Sequence, residues 1–153
     1  RSLVGSEMCI RDRRKQALAL AKFTTTLAQV SVPRINLIAG EAYGTAAEVM
    51  NSKAIGADFV LAWPQASVGM MDAEQAVRIM YAEEINTDKN KTALIAEKTA
   101  EYAEGQSSAL AAAKRGYIDD IIEPDATRKR LIAAYEMLYG KKVTPVTKKH
   151  TAV

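Results

Sequence analysis

"INLIAGEAYGTAAEVM", residues 35–50, changes character halfway along. An apolar run ends in Ala39-Gly40, and a second glycine, Gly44, is followed by Thr45, Ala46 and Ala47. The pattern predicts a strand that passes through glycines into a helix. At such a junction the first-turn N–H groups have no acceptor within the helix, and the helix dipole adds partial positive charge. The turn can then hold an anion or a developing oxyanion, and small side chains at 44–47 let a ligand reach the backbone. The same pattern also serves close packing of a helix on a strand. "GEAYG" fits neither GxGxxG nor a P-loop, so the residues themselves leave both readings open.

Working outward, the chain alternates. Residues 15–30 carry Leu18, Ala21, Leu27 and Val30 at helical spacing, and Pro33 then forces extended geometry ahead of the 35–39 strand. "DFVLAW" (58–63) and "ASVGM" (66–70) read as two short strands joined tightly through Pro64-Gln65. Asp72 and Gln75 form a capping-box pattern before a helix of about twelve residues. Thr87 or Asp88 is expected to start the next helix, with Gly105 as its C-cap. A short Ala-rich helix (107–114) closes at Gly116, "YIDDIIEP" is extended, and Pro124 opens a last helix with Leu131, Ile132, Tyr135 and Leu138 on one face. This predicts one α/β domain.

With 153 residues, 48% of them hydrophobic, the chain can bury one core. The single cysteine, Cys9, removes a disulfide framework and a multi-Cys metal site, and no metal is expected. His150, the only histidine, sits in the polar stretch 141–153, a basic tail with four lysines and no acid. Much of the net charge of +3 lies there and in the first residues, so no nucleic-acid partner is expected. Without a spanning run or a signal-like start, the expected location is cytoplasmic. Residues 1–14 resemble the peptide obtained when sequencing-adapter DNA is translated, and are expected to be a non-native leader to a domain covering 15–140.

A longer resemblance gives the turn its meaning. Ala42-Tyr43-Gly44-Thr45-Ala46-Ala47-Glu48-Val49-Met50, then Ser52-Lys53, Gly56-Ala57-Asp58 and Ala62-Trp63-Pro64, resemble the A-Y-G-G-A-Y-D-V-M, S-K, G-A-D and A-W-P series of biotin-dependent acyl-CoA carboxyltransferases. That family includes propionyl-CoA carboxylase β subunits and the α subunits of sodium-pump decarboxylases. "GYIDDIIEPDATR" (116–128) and "KKH" (148–150) resemble later family elements in the same order.

The resemblance implies a crotonase-like α/β fold of repeated ββα units, here the C-terminal carboxyltransferase domain. It implies that CO2 moves between carboxybiotin and an acyl-CoA such as propionyl-CoA, with two oxyanions stabilised. The biotin ureido oxygen would be held by backbone N–H groups of a Gly-Ala pair, which Thr45 and Ala46 match, beside biotin- and substrate-binding positions Tyr43, Gly44, Ala47 and Glu48. Thr45 departs from the family's glycine, so the donor survives if residue 45 needs no positive φ. Ala47 replaces a tyrosine, and Glu48 keeps the acid.

Implied partners are an N-terminal carboxyltransferase domain, a biotin carboxyl carrier on a separate domain or chain, and further copies of the full-length protein; a membrane complex enters only for a decarboxylase. Half a site implies a fragment that is inactive alone and exposes an apolar face where its partner would sit. The alternatives are a noncatalytic assembly half-subunit or a crotonase-type acyl-CoA hydratase. Trp63 and Tyr43 are expected as core or pocket wall, Met70-Met71 as interior filling, and Asp119-Asp120 as structural, since neighbours in an extended segment point to opposite sides.

Overall fold

A computed structural model describes residues 6–88 and 90–142. The chain divides into two compact units, one of residues 1–32 with 140–153, the other Pro33–Tyr139. In the first, helix α1 runs Ser6–Gln29. It begins upstream of Lys15, where the helical period was expected to start. Glu7, Met8, Arg11, Arg13 and Arg14 are good helix formers that carry no apolar stripe, so propensity extends the helix where pattern is silent. Thr24, Thr25 and Thr26 each donate a hydroxyl to the carbonyl four residues back, at 2.8 Å.

The second unit opens with strands β1 (Ile35–Ile38) and β2 (Glu41–Tyr43), then helix α2 (Gly44–Val49). After a 3-10 turn at Lys53–Ile55 the order repeats, with β3 (Phe59–Ala62), β4 (Ser67–Gly69) and helix α3 (Ala73–Met80). The first strand of each set enters one sheet and the second enters another: β1 pairs with β3 in parallel, Ile35 opposite Phe59, and β2 pairs with β4, Glu41 opposite Ser67. The strands 59–62 and 67–69 are adjacent in sequence yet do not pair with each other. The Trp63 N–H donates to Ile38 O at 3.0 Å and the Ser67 N–H to Gly40 O at 3.1 Å, so the link between the strands steps the chain from one sheet to the other.

Helices α4 (Ala82–Thr87) and α5 (Lys91–Tyr102) follow, and α5 winds into a π-helical stretch, Ala103–Ser107, before α6 (Ala109–Lys114). Strand β5 (Asp120–Ile121) then joins β3 on its free side, and α7 (Thr127–Leu138) follows a 3-10 turn. The central strand β3 is thus flanked by parallel neighbours, which explains its nearly unbroken apolar run. Val60, Ala62, Ala66, Ala109, Ala112 and Ile118 make the buried core.

Several local expectations shift. The predicted twelve-residue helix breaks at Tyr81, between α3 and α4. Asp72 occupies the N-cap position, but its side chain accepts no capping bond. Thr87 ends a helix instead of starting one, its hydroxyl donating back to Glu83 O and Glu84 O, and Asn90 precedes α5. Gly105 is not a left-handed cap. The break comes at Ser108, extended at φ −64°, ψ 152°, whose oxygen accepts the Ala111 N–H at 3.2 Å and so caps α6. Met70 and Met71 are not interior: they are 72% and 36% exposed, in the bend between β4 and α3. In α7, Leu131, Ala134 and Leu138 turn inward, while Ile132, Tyr135 and Met137 remain exposed.

Candidate active site

β2 meets α2 without a spacer. Gly44 is the first helical residue and takes φ +56°, and a Cβ there would stand 3.2 Å from the Met70 carbonyl oxygen. Both the left-handed backbone and the close carbonyl favour glycine. Thr45 next to it is exposed and outside the positive-φ region. The N–H groups of Thr45 and Ala46 belong to the first turn, whose amides no carbonyl of the same helix accepts.

Two residues further along α2, Ala47 and Glu48 line a cavity of about 230 Å3 together with Gly44. Its inner wall comes from Ile38 of β1, Val60 of β3, Val68 of β4 and Ala112 of α6. The structure therefore brings Gly44, Ala47 and Glu48 onto one cavity and places the Thr45 and Ala46 amides on the same short helix. Tyr43 is half-buried and does not line it; its ring packs near Gly69, where an added Cβ would lie 3.6 Å from Cδ1.

Two cations to which the sequence reading gave no site role also line the cavity, Lys53 of the Ser52-Lys53 pair and Arg115. Lys53 Nζ is ion-paired with Asp119 Oδ1, and Asp119 Oδ2 accepts the Val60 N–H at 2.9 Å. One carboxylate thus ties the 3-10 turn to the central strand. Asp120 turns instead toward Arg130, 3.9 Å away, so the acid pair divides as an extended segment demands. Arg115 donates to Gln106 O at 3.0 Å and to Gln106 Oε1. No local motif marks Arg115, because the residues that fix it lie one helix earlier. Trp63 is half-buried and donates Nε1–H to Thr127 Oγ1 at 3.0 Å, joining β3 to the start of α7.

Among the described residues no group of three or more His, Cys, Asp or Glu could hold a metal ion, and no helix is long and apolar enough to cross a membrane. Glu48 is the one carboxylate among the residues lining this cavity.

The sequence matches the carboxyl transferase domain family over residues 18–153. The chain belongs to that family. It is 44% identical over 130 residues to a putative propionyl-CoA carboxylase beta chain of Bacillus subtilis (strain 168), covering 85% of this chain and 26% of that protein. The alpha subunit of methylmalonyl-CoA decarboxylase from Propionigenium modestum is 39% identical over 85% of this chain and 25% of its own.

A crystal structure of the transcarboxylase 12S hexamer, with methylmalonyl-coenzyme A and methylmalonic acid bound, superposes with a TM-score of 0.82 at 35% identity, over 88% of this chain and 26% of that one. This carboxyl transferase domain therefore has the crotonase-like fold, and its chain spans about a quarter of the length of the relatives it matches.

Proposed function

We propose that residues 15–140 form the C-terminal, biotin-side domain of a biotin-dependent acyl-CoA carboxyltransferase, acting on propionyl-CoA, methylmalonyl-CoA or a related thioester, with 141–153 as a basic tail. The observation that carries the reading is the spacerless strand-to-helix junction on Gly44 in a chain of the carboxyl transferase family. The names of the relatives, a propionyl-CoA carboxylase and a methylmalonyl-CoA decarboxylase, support the substrate class.

Biotin, on its separate carrier, supplies when bound the ureido group on which the carboxyl group travels. The donor set fits such a group: two first-turn amides can converge on one oxygen, and Gly44 keeps side-chain atoms off the approach. Each donor can contribute roughly 3 kcal/mol when charge develops on that oxygen. Because the donors are backbone N–H groups, Thr45 in place of glycine leaves the chemistry intact, its backbone needing no positive φ. Gly44 sets the path of the turn, while Ala47 and Glu48 shape the side where substrate lies.

The exposed Ile132, Tyr135 and Met137 of α7 support a partner in the remainder of the carboxyltransferase, the N-terminal domain foremost. A homo-oligomer of the full-length protein and a cytoplasmic location belong to the same proposal, with membrane association only in a decarboxylase complex. A hydratase is disfavoured, since proton removal and return call for paired groups and the cavity offers Glu48 as its single acid.

In the assembled enzyme, Ala46→Trp should lower transcarboxylation about 100-fold or more while the melting temperature holds. Unchanged turnover would remove Thr45 and Ala46 from the site.

A further inference from the structure

The short helix α2 has little interior contact to hold it. Among its described side chains Val49 alone is buried, so its placement depends on what grips its two ends. At the start, Gly44 closes on the Met70 carbonyl. Beyond the last residue the chain passes through Asn51, left-handed at φ +60°, and Ser52 donates its hydroxyl back to Glu48 O at 2.6 Å. The 3-10 turn Lys53–Ile55 follows at once.

That turn is held by side chains from both outer strands of the three-stranded sheet. From the residue before β1, Arg34 Nη2 donates to Ile55 O at 2.9 Å and to Gly56 O at 2.7 Å, which secures the far end of the turn. From the residue before β5, Asp119 takes the Lys53 ammonium on Oδ1 and the Val60 N–H on Oδ2, the latter at 2.9 Å. Val60 is 2% exposed in the central strand, so Asp119 is the fixed member of the pair and Lys53 the one that is held. The two side chains are 38% and 27% exposed, and an ion pair so open to water adds little to stability. What it fixes is a position.

We infer that Asp119 is a positioning residue: through Lys53 and Ser52 it sets the end of α2, and with it the aim of the Thr45 and Ala46 amides at the start. A helix of less than two turns moves as one piece, so releasing its end displaces its beginning. The inference rests on the carboxyltransferase reading, which gives those amides their oxyanion. A misplacement of about 1 Å can cost up to about 100-fold in rate. When the lost interaction is one made only as charge develops, kcat falls and KM stays.

The test uses the complete carboxyltransferase subunit carrying this segment, with its biotin carrier and propionyl-CoA. Asp119→Asn keeps an acceptor for the Val60 N–H and removes the charge that holds Lys53. Its kcat should fall about tenfold, with KM for propionyl-CoA within about twofold and the melting temperature within about 3 °C. Lys53→Met leaves Asp119 on the central strand and should lose about as much, the double variant should lose no more than either single one, and Lys53→Arg should stay within about threefold of wild type. An unchanged kcat in Asp119→Asn, or one that falls only in step with the melting temperature, overturns the inference and leaves the carboxyltransferase reading standing. Losses that multiply in the double variant, with a raised KM for Lys53→Met, also overturn it, because Lys53 then acts on the ligand itself, whose cavity it lines. A wild-type enzyme that moves no carboxyl group between carrier biotin and propionyl-CoA overturns both.

Discussion

Within Pro33–Tyr139, two successive ββα units, β1-β2-α2 and β3-β4-α3, follow one plan and end differently. In the first, β2 runs straight into α2 on the left-handed Gly44, and among its described side chains α2 buries only Val49, at 8% exposed. In the second, Met70, Met71 and Asp72 intervene between β4 and α3, and α3 buries Ala73, Ala76 and Val77. The spacer lets α3 settle its apolar face into the interior, while α2, starting directly from the strand, places Ala47 and Glu48 on the cavity. The helix of the second unit is anchored, and the helix of the first borders the cavity. Met70 joins them, since its carbonyl faces Gly44 from across the pair β2 and β4.

This contrast can be broken first at its anchored end. Val77 is 0% exposed, and Val77→Ala should cost about 2 kcal/mol, read as a lower denaturant midpoint with unchanged slope. A loss below about 0.5 kcal/mol would mean that α3 anchors nothing. Gly44→Ala should cost somewhat less, about 1–2 kcal/mol from the left-handed backbone, with the 3.2 Å approach to Met70 O pushing toward the upper value. Its signature lies elsewhere: transcarboxylation should fall by more than the stability loss accounts for, because relieving the strain re-aims the amides of Thr45 and Ala46. Stability and turnover falling together would make the turn mere packing.

The anchored parts were the more legible in sequence. The apolar run at 59–62 announced a strand because β3 lies between parallel partners, and Gly116 announced the end of α6 because its backbone does take φ +82°. Gly105 misled for the converse reason: the same residue type sits in a π-helical stretch where nothing requires a left-handed backbone. Met70-Met71 misled because hydrophobicity reports a preference for burial, and only the position of the bend decides whether it is met. At the site, glycines and small residues marked the turn, since steric demands are local. The cavity's far wall was invisible, because Ala112 and Arg115 reach it through a chain reversal that leaves no fixed spacing.

The smallest expected effect discriminates most finely between the two units. Thr45→Gly installs the glycine of the family motif that this stretch resembles and changes neither amide, so its effects separate backbone geometry from side-chain contacts. Thr45 is exposed and sits in the first turn of α2 with an ordinary helical backbone, so glycine relieves no strain and adds chain entropy in the unfolded state. Stability should fall by several tenths of a kcal/mol, and turnover should stay within about twofold of wild type, or rise slightly if the threonine side chain narrows the approach. A tenfold gain in turnover would mean that the active turn needs a conformation open only to glycine, and that α2 reaches its working geometry after a change in the first unit that the second does not share.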